Sequence, residues 1–422
     1  FISIDDHEQE NLKKICNEIF GSQNFLAQVI WERAYAPVNL KKHFSMSHDY
    51  ILCYAKQINS CVCNGLHRND QTNGRYSNPD NDPRGDWKSD NLSVGPIVQN
   101  KVYAIITPSG RKVLPPNGYC WRYSKEKLFQ LIEDHRIWFG LKGDNVPSIK
   151  RFLSEVKTTI TPMTIWKYGE VGHSQSAAQS LKKLFNDRAY FDYPKPVGLI
   201  QRCLELYADT SSIVLDFFSG SGTTAHAVMQ MNAEDGGHRK FIMVQLPEKT
   251  DEKSEAYKAG YKTICSIGEE RIRRAGKKIK EETGADIDYG FRVFQVDSSN
   301  MKDVYYRPDE YKQTGMDLFA DNIKEDRTAE DLLFQVMLDY GILLSSKIEE
   351  LEIGGKRVYS VADGYLIACF DQNVTEGTVR KIAQKHPFYA VFRDNSMKGD
   401  SVVTNFEQIF ETYSPQTVRK VL

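Results

Sequence analysis

No stretch of this sequence approaches the roughly 18 consecutive apolar residues that a membrane-crossing helix needs. No basic start followed by an apolar stretch opens the chain, so neither a helical anchor nor a secretory leader is expected and the cytoplasm is the expected address. Metal-ligand spacing is also missing. The eight cysteines (Cys16, Cys53, Cys61, Cys63, Cys120, Cys203, Cys265, Cys369) are scattered, only Cys61 and Cys63 lie close together, and no CxxC pair occurs. A disulfide framework and a zinc site are therefore not expected, and no metal is assigned. The chain has no excess of either charge, its net charge being -1. That balance neither supports nor excludes a polyanionic partner, because a large protein can confine basic surface to one cleft. Internal repeats and low-complexity tracts are absent as well. What remains is a chain of 422 residues, 41% hydrophobic and 26% charged. At about 150 residues per domain this predicts two or three units, each able to bury a core.

Along the chain the pattern is α/β, then turn-rich, then α/β again. Phe1 to Asp6 is a short β-prone run with no initiator Met before it, which suggests that the natural protein starts earlier. Asp6, His7 and Glu8 then cap a helix running to Phe20, with Leu12, Ile15, Cys16 and Ile19 on one face. Strands are predicted over Phe25 to Trp31 and Asp49 to Tyr54. From 57 to 161 the sequence is rich in turns and aromatic residues, with helical periodicity only over Lys125 to His135. Asn78 to Trp87 has loop chemistry, and Thr107-Pro108-Ser109-Gly110 reads as a hairpin turn, so this segment is taken as an inserted domain. The rhythm resumes with a helix from Pro196 to Tyr207, a strand from Ser212 to Phe217, a helix from Thr223, a strand from Lys240 to Gln245, a long helix from Ala256 to Lys280 and a strand from Gly290 to Val296. This alternation predicts a parallel, doubly wound sheet. A polar linker near 309–324 leads to a last α/β unit, with a helix over Ala329 to Leu344 and a hairpin over Arg357 to Phe370.

The densest chemistry lies in the string D-x-x-x-G-x-G-T-T from Asp216 to Thr224. An apolar strand runs into Asp216, then Phe217, Phe218 and Ser219, then a turn through Gly220 and Gly222, and then a helix beginning at Thr223. Glycines let a ligand approach the backbone, and a helix N-terminus offers free N–H groups to a carboxylate. The amino-acid end of S-adenosylmethionine fits such a corner. The spacing also satisfies a loose G-x-G-x-x-A dinucleotide pattern, so an NAD-dependent oxidoreductase stays open, whereas a P-loop is excluded because no Lys follows Gly222. Tyr193-Pro194-Lys195-Pro196 lies upstream and opens a helix. Phe241 to Glu248 lies downstream, where Glu248 is the candidate acid for ribose hydroxyls and Gln245 its rival at the strand end.

Taken together, Asp216 to Ala227, Glu234 to Gly237, Phe241 to Glu248, Tyr193 to Pro196, Phe1 to Asp6, His48 to Leu52, Asn78 to Trp87, Glu270 to Ala275 and Gly290 to Phe294 resemble the modification methyltransferases of type III restriction systems. The resemblance is strong over about 1–300 and looser beyond. It implies a doubly wound, Rossmann-like methyltransferase fold divided into a catalytic half (1–56), an inserted target-recognition domain (57–161), a cofactor half (162–308) and a smaller C-terminal α/β domain (320–422). It further implies S-adenosylmethionine as cofactor, held by Asp216, Phe217, Phe218, Ser219, Gly220, Gly222, Thr223, Lys195, Pro196 and Glu248. Double-stranded DNA is the implied substrate, with adenine the usual base, and a homodimer and a restriction subunit are the implied partners.

One departure stands out. The family carries a D-P-P-Y type tetrapeptide that holds the exocyclic amine of a flipped base. This sequence has none, its single Pro-Pro pair being Pro115-Pro116 inside the insert. The tetrapeptide is expected upstream of Phe1, so the catalytic residues are unknown, the chain is expected to be inactive alone, and adenine and cytosine amino methylation stay unseparated. Asp5 and Asp6 are either rim residues of the active site or helix caps. In the insert, Arg68, Arg75, Arg84, Lys88, Arg111, Lys112, Trp121 and Arg122 mix basic and aromatic or polar turn residues, as a DNA-reading surface would, although an ordinary polar insert has the same composition. Arg271, Arg273, Arg274, Lys277, Lys278 and Lys280 are read as a solvated helix face rather than phosphate contacts. His43 and His48 are read as structural. A non-enzymatic DNA-binding and assembly module is the remaining rival.

Overall fold

The structure, a computed structural model, describes residues 1–302, 322–393 and 400–422. Two compact units divide the chain, Phe1–Tyr289 and Gly290–Leu422. In the first, strand β1 (Ile2–Ile4), helix α1 (Gln9–Phe20), β2 (Phe25–Glu32) and β3 (His48–Tyr54) follow one another. Of the α1 stripe only Cys16 is buried, and Ile15 and Ile19 remain exposed. The expected cap at the start of α1 is not made, because Glu8 forms no side-chain capping bond.

The insert opens and closes on a short antiparallel pair, β4 (Leu66–His67) against the later Thr159–Ile160. Between them lie β5 (Trp87–Asp90), the expected helix α2 (Lys125–Glu133), β6 (Ile137–Trp138) and β7 (Ser148–Phe152). These strands make a three-stranded antiparallel sheet in the order β6-β7-β5. Leu92, Ile105, Val113, Trp121, Leu128, Ile137, Phe139 and Ile149 form a core belonging to this segment alone. The strand Thr159–Ile160 is β8.

After the insert come β9 (Ile165–Trp166), α3 (Ser174–Leu184), α4 (Val197–Tyr207), β10 (Ile213–Asp216), α5 (Thr223–Asp235), β11 (Lys240–Met243), α6 (Glu255–Lys258) and α7 (Ile264–Thr283). The single long helix expected over 256–280 is two helices. Gly260 at φ +98 ends the first turn, and Thr263 caps a new start by accepting from the Ser266 N–H. Four strands pair in the order β1-β3-β2-β9, of which only β2 and β9 are parallel. β10 and β11 form a separate parallel pair crossed over by α5. Among the described residues no ladder joins these into one sheet. Helix α4 serves both: Leu199 and Leu206 pack with Val29, Trp31, Ile51 and Trp166, whereas Leu204 packs with Ala227 and Val228 of α5. The opposite face of the parallel pair is apolar and open, with Ile213, Leu215 and Ile242 at 61%, 58% and 50% exposure.

In the second unit, residues 290–296 are not a strand, and the expected linker falls largely on 309–321, outside the described residues. α8 (Ala329–Asp339) ends five residues before the expected boundary. β12 (Ile348–Ile353), β13 (Lys356–Val361), β14 (Leu366–Cys369), α9 (Glu376–Ala383), β15 (Tyr389–Phe392), α10 (Asp400–Tyr413) and β16 (Val418–Val421) complete it. The sheet order is β12-β13-β14-β15-β16, antiparallel at first and parallel from β14 onward. Alternate residues of one strand enter different cores: Ile367 and Cys369 meet α9 and α10, while Leu366 and Ala368 meet α8. A sheet covered on both faces explains why β14 is a continuous buried run.

Candidate functional site

β10 delivers Asp216 to its C-terminal end, where the carboxylate accepts from the Phe218 N–H at 3.2 Å and the Thr224 hydroxyl at 2.5 Å. Asp216 therefore ties the loop to the first turn of α5. Gly220 and Gly222 both adopt positive φ, +51 and +76. A Cβ on Gly220 would meet the Phe191 ring at 3.3 Å, and one on Gly222 would meet the Gly268 carbonyl of α7 at 3.2 Å. These glycines are thus required by the turn's own conformation and by close packing on Phe191 and α7, in addition to any ligand approach.

The start of α5 has no side-chain cap. Its first N–H groups carry the positive end of a 13-residue helix. Below it, Arg271 is 3% exposed, and one guanidinium nitrogen, Nη1, donates to Ser221 Oγ and Thr223 Oγ1, each at 2.7 Å. No hydrogen-bond partner reaches its Nε. Burial pulls the Arg271 pKa down to about 10, which leaves it cationic at neutral pH. His226, also on α5, is half-buried, with its Nδ1 atom buried and without a hydrogen-bond partner. Burial first, then the Arg271 and Lys278 charges, hold its pKa at about 3, so the ring is neutral.

The upstream and downstream elements both reach this corner. The Lys195 carbonyl accepts from the Thr223 hydroxyl at 3.4 Å, and Pro196 occupies the N-cap of α4. Lys195 Nζ lies 3.3 Å from Asp49 and over the Trp31 ring at 4.9 Å, and Asp49 also pairs with Arg33 at 2.8 Å. Gln245 Oε1 accepts from the Gly220 N–H at 2.8 Å. Glu248 is exposed and its carbonyl accepts the Ile264 N–H, so the residue that touches the turn is Gln245. Phe217 and Phe218 stand exposed beside the turn, their rings 5.1 Å apart. Ser219 accepts the Gly222 N–H at 2.8 Å. Asp5 and Asp6 follow β1 on the surface. Asp5 bonds His7, which holds its carboxyl below the usual range, and Asp6 accepts from the Tyr50 hydroxyl.

An uncapped helix end, a buried guanidinium and two open aromatic faces suit a ligand with a carboxylate at one end and a heteroaromatic ring at the other. The chemistry of the residues therefore fits S-adenosylmethionine.

A model of the DNA methylase family matches residues 1–275, which include the Asp216 corner, Lys195, Gln245 and Arg271. The chain belongs to the DNA methylase family. It is 34% identical to the type III restriction-modification enzyme StyLTI Mod subunit of Salmonella typhimurium over 70% of this chain and 45% of that protein. To the EcoP15I Mod subunit of Escherichia coli it is 28% identical, over 91% of this chain and 62% of that protein. The type II methyltransferase M.KpnI of Klebsiella pneumoniae is 28% identical over 64% of this chain and 67% of its own length. The chain thus spans about half to three-fifths of the first two relatives.

Within residues 57–161 the basic residues sort by partner. Arg84 grips Asp82 through Nε and Nη2, both at 2.9 Å, pairs with Asp134 and lies over Phe152. Lys150, buried, bonds Asp80 and Asp82 beneath Trp87 and Trp138. The Arg84 contact, then Lys150, hold the Asp82 carboxyl far below its ordinary value. Arg84 is therefore committed to internal ion pairing. Arg122 pairs with Asp90, Arg111 donates to the Asp144 carbonyl, and Arg68 donates to the Lys157 carbonyl. Lys112 is exposed. Arg75 and Lys88, with Trp87, Trp138, Ser77 and Ser89, line an open cavity of about 480 Å³.

Sequence reasoning missed Arg271 and Asp49. Arg271 was grouped with the solvated basic face, yet it continues the apolar series Ile264, Ile267, Ala275 at helical spacing, which was the available signal. Arg273 and Arg274 do pair with Glu269 and Glu270 on the helix surface.

Proposed function

We propose that this chain acts in site-specific DNA methylation as part of a type III restriction-modification system, with S-adenosylmethionine as cofactor and the adenine amino group of a flipped-out base as acceptor. The observation that carries this reading is the corner after Asp216, where an uncapped helix start, two positive-φ glycines and the Lys195 and Gln245 contacts converge. In this reading β10, α5 and β11 form one repeat of a doubly wound, Rossmann-like sheet. The cofactor supplies a methyl group on a good leaving group. The chain's own residues bind and orient: the α5 N–H groups face the carboxylate end, Phe217 and Phe218 offer ring faces, and Gln245, with Glu248 beyond it, marks the ribose side. Asp5 and Asp6 stand on the rim of the acceptor site.

Residues 57–161 are proposed to read DNA. Arg75 is the strongest of the six basic candidates because it lines the cavity beside Lys88, Lys112 and Arg111 are surface contacts, and Arg68, Arg84 and Arg122 shape the domain. Residues 320–422 are proposed to serve a homodimer or the restriction subunit, in the cytoplasm. Because the sequence holds no D-P-P-Y type tetrapeptide, the chain alone binds cofactor without transferring methyl groups.

The test is calorimetric titration with S-adenosylmethionine and NAD in parallel. Saturable binding of S-adenosylmethionine alone is expected. Binding of NAD with none of S-adenosylmethionine overturns the reading in favour of an oxidoreductase. For the full-length protein, nucleoside analysis of methylated DNA distinguishes N6-methyladenine from N4-methylcytosine.

A further inference from the structure

Arg271 is the most deeply buried charge at the site, and its surroundings pay little toward keeping it there. No carboxylate among the described residues pairs with it: its Nη1 contacts are two neutral hydroxyls, and its Nε is unpartnered. A buried cation without an anion is costly, and a hydrophobic side chain of similar volume is commonly tolerated better. The position deepens the puzzle. Ser221 and Thr223 flank Gly222, the left-handed residue that begins α5, so the guanidinium sits against the positive end of that helix. Two positive sources on one turn repel each other in the free protein. Both gain if an anion lies on the open side of the turn.

We propose that Arg271 is a positioning residue for the α-carboxylate of S-adenosylmethionine. Its charge, carried through the Ser221 and Thr223 hydroxyls, joins the α5 N-terminus in fixing the amino-acid end of the cofactor. The inference rests on the cofactor reading above and adds the residue that selects for the ligand's only negative charge. The hydroxyls matter as well as the charge. With their lone pairs engaged by Nη1, their protons must point elsewhere, and Thr223 directs its own to the Lys195 carbonyl. One guanidinium thus sets the orientation of both hydroxyls that border the turn.

The test compares Arg271→Met with the unaltered chain toward two ligands, S-adenosylmethionine and 5′-methylthioadenosine, which keeps the adenosine and sulfur but has no carboxylate. The variant is expected to bind S-adenosylmethionine about tenfold or more weakly, the scale of one lost charge-assisted contact, and 5′-methylthioadenosine within about twofold of the original. Thermal unfolding without ligand is expected to be no earlier in the variant, since an unpaired buried charge has been removed. Equal losses for both ligands, or no loss for either, overturn the proposal. Should Arg271→Met fail to fold, Arg271→Lys, which keeps the charge on a different donor geometry, is expected to retain the preference for the carboxylate-bearing ligand. Loss of that preference in a folded Arg271→Lys protein also overturns it. If the unaltered chain binds 5′-methylthioadenosine but shows no gain for S-adenosylmethionine, the Arg271 proposal fails alone. If it binds neither, the cofactor reading fails with it.

Discussion

Replacing Gly222 by alanine separates two reasons for a glycine at this turn. A residue with a Cβ at φ +76 sits in the left-handed region, which costs about 1–2 kcal/mol. The new Cβ would also press on the Gly268 carbonyl at 3.2 Å, with the Ile272 side chain at 3.4 Å. That carbonyl belongs to helical backbone in α7, which cannot rotate away, so a second penalty of about 1 kcal/mol is expected, as in other overpacked sites. Gly236 provides the control. It ends α5 at φ +69 and has nothing within 4 Å of an added Cβ, so Gly236→Ala carries the conformational cost alone. The assay is urea unfolding without ligand, followed by tryptophan fluorescence. All five tryptophans (Trp31, Trp87, Trp121, Trp138 and Trp166) lie in the unit Phe1–Tyr289, so the signal reports that unit. Gly222→Ala is expected to lose about 2–3 kcal/mol and Gly236→Ala about 1 kcal/mol. Equal losses in the two variants would refute the packing argument. An unchanged stability for Gly222→Ala with weakened cofactor binding would show that the glycine serves ligand approach only.

In the insert, Lys150→Met removes the buried cation shared by Asp80 and Asp82, leaving Arg84 as the remaining partner of Asp82, and a loss of about 3 kcal/mol is expected from chemical unfolding. Because the Asp82 pKa is depressed in the folded state, its contribution is complete above the ordinary value of 3.8 and is lost as pH falls below it. Asp82→Asn should therefore flatten the acid limb of the stability profile. His226 acts over a higher window: its folded pKa of about 3 lies below the ordinary 6.5, so the unfolded chain binds the extra proton between these values and stability rises with pH across them. A His226→Gln variant that kept the original slope between pH 4 and 6.5 would exclude that role. For DNA, Arg75→Ala in the full-length protein should weaken binding and lower the salt slope by about one, whereas Arg84→Ala should mainly destabilise the insert. The reverse pattern, read from binding at several salt concentrations and from melting, would reassign the two residues.

The local elements were legible in the sequence wherever short-range chemistry dictated them. The strand ending in Asp216, the Gly220 and Gly222 turn, the helix from Thr223 and the Pro196 helix start all depend on neighbours within a few residues, and they stand where periodicity and capping put them. Within the turn-rich segment, the helix expected over Lys125 to His135 also forms, and Leu92 to Ile149 supply a core of their own. The break at Gly260 was misread because the flanking apolar spacing is helical on both sides and only the Thr263 cap interrupts it. The strand expected over Gly290 to Val296 has the alternation of a strand but no partner ladder among the described residues, and a strand exists only by pairing.

What the sequence determined by itself was therefore the corner: an acid, a glycine turn and a helix start in fixed order, which specify an uncapped helix end behind a positive-φ turn. Only the tertiary structure decided which side chains serve it. Arg271 lies 48 residues from Thr223 and Asp49 lies 146 from Lys195, and linear distance carries no sign of either contact. The fate of the arginines was decided in the same way. Arg75 and Arg84 are alike in sequence, but Arg84 folds against Asp82 and Asp134 while Arg75 lines an open cavity, because the position of a carboxylate in space, not the residue type, sets whether a guanidinium is free to meet a ligand.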